Sequence, residues 1–231
     1  MVFTAVLFLA MWVSIRVKVI SKSGAIAGGL VATGMYLGGG WIGVVLLGIF
    51  LVAGSLATRW KRSEKEALGV AQESGGQRTW INALANGSVA CVLGLLGWAA
   101  NWEIPLVFPM MAAAIASATS DTLSSELGNL YGRQYWNVRN WKSGRRGEDG
   151  MISLEGTLFG VAGSLLIAIP VGWQAQSVKM ALIVAGAGMI GNWTDSVLGA
   201  TLQRQGRLNN HTVNFYSTLI AAFAAGLLHS F

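Results

Sequence analysis

The chain has few charged residues. Asp, Glu, Lys and Arg make up 11% of its 231 residues, whereas 53% are hydrophobic. Soluble domains carry about 25% charged residues. Mean hydropathy is +0.54, and several apolar runs approach the ~20 residues that a helix needs to cross a bilayer. A soluble globular domain is therefore excluded, and the composition predicts an all-α, polytopic membrane helix bundle.

Cysteine and proline are also scarce, with one and three residues. Cys91 stands alone, so an intrachain disulfide is excluded, and we interpret it as a small buried hydrophobic residue. Glycine is abundant at 31 residues, which suits transmembrane helices that pack closely through small residues. Nothing resembles a linker between domains. We expect residues 1–231 to form a single integral membrane domain.

The apolar runs predict about eight transmembrane helices, within a range of seven to nine. The first run resembles the apolar region of a signal peptide but lacks a basic leader and a cleavage site, so we expect a retained helix. The sequence GGGW at 38–41 is either a turn between two spans or a re-entrant break. The predicted spans are 1–15, 24–38, 41–58, 80–99, 104–131, 153–172, 177–203 and 212–229.

Basic residues are concentrated in alternate loops. Loops 16–23, 59–79, 132–152 and 204–211 hold 15 of the 16 Lys and Arg residues, and the opposite connections carry only Lys179. Positive charge marks the cytoplasmic side of membrane proteins, so we expect both termini to be non-cytoplasmic. This bias explains the net charge of +6 without any nucleic-acid partner. The absence of a transit peptide favours a bacterial inner membrane.

Two of the three aspartates lie within predicted spans. The segments Ser120-Asp121-Thr122 and Thr194-Asp195-Ser196 resemble each other, and both spans run towards the basic loops. Asp121 precedes Arg133 by 12 residues and Asp195 precedes Arg204 by 9, which at ~1.5 Å per residue gives each a depth of about 14–18 Å. The two carboxylates could therefore face one site. The alternative is structural, with each aspartate bonding neighbouring hydroxyls to hold helices together.

Carboxylates without nearby His or Cys predict a site for a hard cation such as Mg²⁺, or a proton path, and not a zinc site. Asp121 and Asp195 are the candidate metal ligands and catalytic residues. Glu126 is a candidate supporting acid, although it lies about 140° round the helix from Asp121 at ~100° per residue. Spacing alone therefore does not bring all three acids together.

Other polar residues near the basic loops suit a phosphate-bearing ligand. SLEGT at 153–157 opens a helix whose free N–H groups favour an anion, with Ser153 as the N-cap. The charged loop 59–79 has an equally simple interpretation as a solvated segment near lipid headgroups, and each Asn pair can serve helix packing instead. The candidate phosphate contacts are Lys61, Lys65, Arg78, Asn82, Asn86, Arg145, Arg146, Ser153, Gly156, Thr157, Asn209 and Asn210.

Five motifs in order resemble an integral membrane family that includes phytyl-phosphate kinase of tocopherol synthesis. They are SKSGAIAGGLVATGMYLGGGW, SDTLSSELG, GEDGMISLEGTLFGVAGS, DSVLGATLQ and LNNHTVNFYSTLIAA, and they extend from residue 21 to 222. The pair SDTLSSELG and SLEGT is also similar to the pattern of the CTP-using phytol and dolichol kinases. The Lys-Asp and Pro-Gly-His-Gly-Gly signature of phosphatidate cytidylyltransferases is absent.

The resemblance implies phosphoryl transfer from a nucleoside triphosphate, CTP in the first instance, to an isoprenyl monophosphate of the phytyl or geranylgeranyl type. Mg²⁺ would be the cofactor, and the lipid tail would lie between helices. Such a transfer needs mainly positioning and charge neutralisation. The alternative function is an ion-coupled transporter of a small or lipid solute, because acids near the membrane midplane and glycine-rich spans are also typical of transporters.

Overall fold

The computed structural model describes residues 1–72, 74–101 and 106–230. The long helices are α1 (Val2–Arg16), α2 (Lys22–Arg59), α4 (Trp80–Ala99), α5 (Val107–Tyr131), α6 (Leu154–Gln174), α7 (Val178–Leu198) and α8 (Asn210–His229). The short elements are α3 (Arg62–Ala67), a 3₁₀ turn (Ser74–Gly76), a π-helical turn (Gly199–Gln203), and an antiparallel pair of two-residue strands, β1 (Trp136–Asn137) and β2 (Met151–Ile152).

Helix α2 consists of two halves that fold back on each other at Gly40. Gly40 has φ 59° and ψ −147°, which interrupts the helical backbone. A Cβ on Gly43 would collide with the carbonyl oxygen of Met35, so the turn before the kink lies against the turn after it. Gly24 and Gly54, near opposite ends of α2, both contact Arg78. The two halves therefore form a helical hairpin, and GGGW is its turn.

The loops that hold most of the basic residues lie together at one end of the bundle, here called the basic end. Arg59 donates to the carbonyl oxygen of Val17 (2.7 Å), and the Trp60 indole donates to the Tyr131 hydroxyl (2.7 Å). On the other side of this end, Arg204 donates to the carbonyl oxygen of Asp149 (2.7 Å). These bonds join neighbouring loops, in agreement with the predicted alternation of the connections.

Helix α5 is the centre of the bundle. The residues from Met111 to Ala116 are fully buried, and small residues let the neighbouring helices approach their backbone closely. A Cβ on Gly163 of α6 would lie 2.9 Å from the carbonyl oxygen of Thr119, and one on Gly188 of α7 would lie 2.7 Å from the Cβ of Ala116. Helix α1 lies at the periphery instead and has no buried residue.

Within the described residues, five helices are long and apolar enough to cross a membrane, and Val2–Arg16 is a shorter apolar helix. The five are Lys22–Arg59, Trp80–Ala99, Leu154–Gln174, Val178–Gln203 and Asn210–His229. Helix α5 has a lower hydropathy because its second half is polar, which a helix surrounded by other helices tolerates. The all-helical fold is thus confirmed, while a count of eight crossings stays a prediction. Residues 104 and 105 of the span predicted at 104–131 lie outside the described part of the chain.

Candidate functional site

A polar cavity of about 690 Å³ opens between the helices at the basic end. The second half of α5, the last part of α7 and the first turns of α4, α6 and α8 line it. The segment Gly147–Ile152 contributes a further part of the wall. The polar side chains that line the cavity include Arg78, Asn82, Asn86, Asp121, Ser124, Ser125, Glu126, Asp149, Asn192, Asp195, Gln203, Asn210, His211 and Asn214.

Asp121 and Asp195 meet in this cavity, with their carboxylates within hydrogen-bonding reach of each other. Helices α5 and α7 run in the same direction, so residues at a similar distance from the basic end lie side by side. In the orientation that satisfies both of its ends, the Asn214 amide nitrogen donates to Oδ2 of Asp195 (3.0 Å). The Ser217 hydroxyl also lies within reach of Asp195. The two carboxylates therefore lie side by side, as the shared direction of their helices predicts.

The donor set around this pair fits Mg²⁺. Two ionised carboxylates in contact repel each other unless a proton or a cation lies between them. The neighbouring ligand atoms are oxygens of carboxylate, hydroxyl and amide groups, which hard cations prefer. Within the described residues, no group of three or more His, Cys, Asp or Glu side chains could hold a metal by itself. Mg²⁺ bound through one or two carboxylates together with substrate phosphates and water is compatible with this arrangement.

Glu126 lines the same cavity but is already paired. Its Oε2 lies 2.5 Å from the Nζ of Lys65, and the two side chains are only 3% and 1% exposed. Lys65 also donates to the carbonyl oxygen of Ala57 (2.6 Å). The other oxygen, Oε1, has no hydrogen-bond partner among the described residues. The pair therefore occupies one oxygen of Glu126 and leaves the other able to accept a hydrogen bond.

Arg78 is the only lysine or arginine among the described residues that line the cavity. Its guanidinium lies 4.5 Å from the ring centre of Phe50, and its tip occupies the space that a Cβ on Gly54 would fill. Burial lowers the pKa of Arg78 to about 10, so it stays cationic at neutral pH. No described carboxylate forms a salt bridge with it. Arg78 is thus available to an anion.

Three helices begin at the cavity, and their N-termini add positive potential. Asn82 accepts from the N–H of Thr79 (2.9 Å) at the start of α4. Ser153 accepts from the N–H of Gly156 (3.0 Å) at α6, and Asn209 accepts from the N–H of Thr212 (2.9 Å) at α8. Helix N-termini favour anions through their dipoles and unpaired N–H groups. The cavity thus offers separate positive and negative regions, which suits a phosphate group together with a cation.

Hydrogen bonds from the π-helical turn and from Arg204, just after α7, hold the segment Gly147–Ile152 at the cavity. Gln203 donates to Oδ1 of Asp149 (2.9 Å), and Arg204 binds the carbonyl oxygen of Asp149 and the carboxylate of Glu148. Gly150 has φ +71°, and a Cβ there would collide with Ala200. Only glycine allows this close approach to the π-helical turn.

Several of the predicted phosphate contacts do not line the cavity. Lys61 is exposed and pairs with Glu64, and Lys65 is buried against Glu126. Arg146 donates to the carbonyl oxygen of Gly132 (3.0 Å). The remaining ones are Arg145, which is exposed, Thr157, which bonds the carbonyl oxygen of Ser153, and Asn209, which caps α8. Arg78, Asn82, Asn86, Ser153, Gly156 and Asn210 do line it.

The structure adds residues that sequence reasoning did not assign. Asp149 and Gln203 face the cavity from the loop and the π-helical turn. His211 lines the cavity as well, and its Nδ1 has no partner among the described residues. Asn192 precedes Asp195 by three residues and so shares its helix face, which is a signal that spacing could have given.

Comparisons with known proteins agree with this membrane fold. The family model described as "Integral membrane protein DUF92" matches residues 5–222. An uncharacterized membrane protein of Synechocystis is 33% identical over 196 residues, covering 81% of the chain and 74% of that protein. Protein VTE6, chloroplastic, of Arabidopsis thaliana is 31% identical, covering 92% of the chain and 66% of that protein. Protein PGR of the same plant is 29% identical, covering 93% and 90%. No solved structure matches the chain.

Proposed function

The chain belongs to the integral membrane protein family DUF92, and on that premise we propose that it is a membrane lipid kinase. It transfers the terminal phosphoryl group of a nucleoside triphosphate, CTP in the first instance, to an isoprenyl monophosphate. The five motifs that resemble the phytyl-phosphate kinase family support this reaction type, and the acceptor is of the phytyl or geranylgeranyl class.

The single observation that carries the proposal is the contact between Asp121 and Asp195 inside a cavity that also offers Arg78 and three helix N-termini. A polyphosphate alone would be repelled by these acids. Mg²⁺, when bound, neutralises phosphate charge and orients the triphosphate. Asp121 and Asp195 would hold it, and Asn214 and Ser217 keep Asp195 in place.

The chemistry needs no strong general base. An oxygen of the acceptor phosphate forms a bond to the γ-phosphorus as the bond to the β–γ bridging oxygen breaks, which gives an isoprenyl diphosphate and a nucleoside diphosphate. The acceptor oxygen already carries negative charge at neutral pH, so no proton has to be removed from it. Arg78 and the N-termini of α4, α6 and α8 stabilise the charge that spreads over the phosphate oxygens. His211 lies in the cavity beside them.

An enzyme explains the arrangement better than the alternative of an ion-coupled transporter. A transporter needs a polar path that reaches both faces of the membrane. Here the acids lie in the half of the bundle towards the basic end. Beyond them, α5 continues as fully buried apolar residues from Met111 to Ala116. This packing supports a site that opens to one side.

The test uses purified protein in detergent with Mg²⁺, labelled CTP and isoprenyl monophosphates. We expect Asp121→Asn and Asp195→Asn each to lower kcat/KM by about 100-fold or more, the loss typical of removing a group that stabilises transition-state charge. Glu66→Gln is the matched control, because Glu66 is exposed and pairs with Arg62 outside the cavity. Mg²⁺ with nucleotide should also raise the unfolding temperature of the parent and not of the Asp121→Asn variant.

The proposal fails if the parent protein leaves every nucleotide and isoprenyl phosphate unchanged while vesicles containing it accumulate a solute. An unchanged rate in both aspartate variants would equally refute it.

A further inference from the structure

A second cavity of about 150 Å³ lies beside the polar one and is almost entirely apolar. It forms a groove between α1, both halves of α2 and the start of α4. Its walls include Phe3, Leu7 and Met11 of α1 and Leu47 and Leu51 of α2. We call it the α1–α2 groove.

Arg78 lines both cavities. The groove therefore ends, on its basic side, at the one arginine that faces the polar cavity. The backbone of Arg78 is fixed there, because its N–H donates to the carbonyl oxygen of Val19 (3.0 Å) and its carbonyl oxygen accepts from the N–H of Ser21 (2.9 Å). An apolar groove that ends at a cation is complementary to a molecule with an apolar chain and one anionic head group.

We propose that the α1–α2 groove binds the isoprenoid chain of the lipid monophosphate, with the phosphate against Arg78. This inference rests on the proposed function for the identity of the lipid. It places the acceptor phosphate next to the aspartate pair and the chain within the membrane-spanning part of the bundle. Sequence reasoning placed the chain between helices without locating it.

An aromatic cluster that includes the groove residue Phe3 lies at the end of the groove far from Arg78. Phe3 stacks on Tyr36 with ring centres 4.0 Å apart, and Trp41 packs edge-on against Tyr36 at 5.5 Å. Phe3 and Ser14, which line the two ends of the groove on α1, are separated by about 16 Å at ~1.5 Å per residue. The aromatic cluster thus limits the length of chain that fits.

Two glycines keep the groove open. A Cβ on Gly28 or on Gly48 would meet no atom within 4 Å, and both residues line the groove. A larger side chain at either position would enter that space without displacing the protein. Helix α1 forms one wall of the groove and has no buried residue, so the groove lies at the periphery of the bundle.

The first test does not depend on catalysis. A geranylgeranyl monophosphate probe with a photoreactive diazirine at its far end is bound to the purified protein and crosslinked, and the labelled peptide is identified by mass spectrometry. We expect labelling around Phe3 and Tyr36, and competition by unlabelled geranylgeranyl phosphate but not by geranylgeraniol at the same concentration. Labelling elsewhere, or equal competition by the alcohol, overturns the proposal and leaves the kinase activity a separate question.

The second test fills the groove. We expect Gly28→Leu and Gly48→Leu to lower crosslinking about tenfold, the loss expected when about two methylene groups no longer find apolar burial. In the kinase assay, the ratio of kcat/KM for geranylgeranyl over isopentenyl phosphate should fall by a similar factor. Gly186→Leu is the matched control, because Gly186 is an open helical glycine on α7 that lines neither cavity. Equal labelling in all three variants refutes the proposal that the α1–α2 groove binds the isoprenoid chain.

Discussion

Lys65 and Glu126 form an ion pair in which both side chains are removed from solvent. A buried pair of this kind costs desolvation energy and is strongly destabilising when one partner is removed, because the other charge is left uncompensated. The pair links the short helix α3 to the central helix α5. Its position beside the cavity indicates that Lys65 holds Glu126 and the loop before Arg78 in place.

We therefore expect Lys65→Met to lower the free energy of unfolding by about 3–5 kcal/mol. The change is measured by thermal or denaturant unfolding in detergent. The control is Lys61→Met. Lys61 lies four residues before Lys65, is exposed and pairs with Glu64, so this variant should unfold like the parent. Equal stability of the two variants would contradict the assigned role of Lys65.

Sequence reasoning found the two aspartates because charged residues inside apolar spans are costly and therefore conspicuous. It placed Lys65 among the phosphate contacts because loop 59–79 is rich in basic residues, and nothing in the sequence marks Lys65 as buried. The helical spacing within α5 also could not place Glu126 near Asp121, since the cavity wraps around more than one face of the helix. Such contacts depend on how separate segments pack, which a single sequence does not express.

At the scale of elements, the reversal of α2 decides where the α1–α2 groove and Arg78 lie. Gly40 adopts φ 59° and ψ −147°, a backbone region that is populated almost only by glycine. The hairpin brings Gly24 and Gly54 to the same end of the bundle, where both contact Arg78. Gly40 is thus the residue on which this geometry depends.

Gly40→Ala should lower the free energy of unfolding by about 1–3 kcal/mol, the usual cost of forcing a side chain into such a conformation. The comparison is Gly186→Ala, which lies in a regular helix with open space around its Cβ and should not destabilise. Thermal unfolding of both variants in the same detergent measures the difference. A Gly40→Ala variant as stable as the parent would mean that the hairpin turn tolerates other backbone conformations.

Most helix bounds were predictable, because helix ends are marked in the local sequence by the limits of apolar runs and by capping residues such as Ser153 and Asn209. The sequence GGGW allowed a turn or a re-entrant break, and the dihedral angles of Gly40 together with the contact of Gly43 with Met35 identify a turn. The three helix N-termini around the cavity were not foreseen together. Each start is visible in the sequence, but their convergence on one cavity is a property of packing.

At the scale of the whole molecule, the basic end defines an orientation in the membrane. Positive charge predicts that this end faces the cytoplasm, with both termini on the opposite side. The hydrogen bonds that join the basic loops place them at one end of the bundle, whichever way the protein is inserted.

Cysteine labelling tests this orientation in a Cys91→Ala background. Ser143 lies in an exposed basic loop and Ser230 is exposed at the other end. In intact bacterial spheroplasts, we expect a membrane-impermeant maleimide to label Ser230→Cys at least about tenfold more than Ser143→Cys, since loops rich in Lys and Arg stay on the cytoplasmic side. Inverted vesicles should give the opposite result. The reverse pattern would assign the cavity to the outer face.

The polar cavity lies at a single end of the bundle, and this position determines from which side the substrates of the proposed reaction would reach it. Acceptor and product would occupy the same leaflet, because neither head group crosses the bilayer. The lipid would then arrive and depart by lateral diffusion in two dimensions. Turnover would follow the mole fraction of isoprenyl phosphate in that leaflet, whereas the nucleotide would exchange with bulk water.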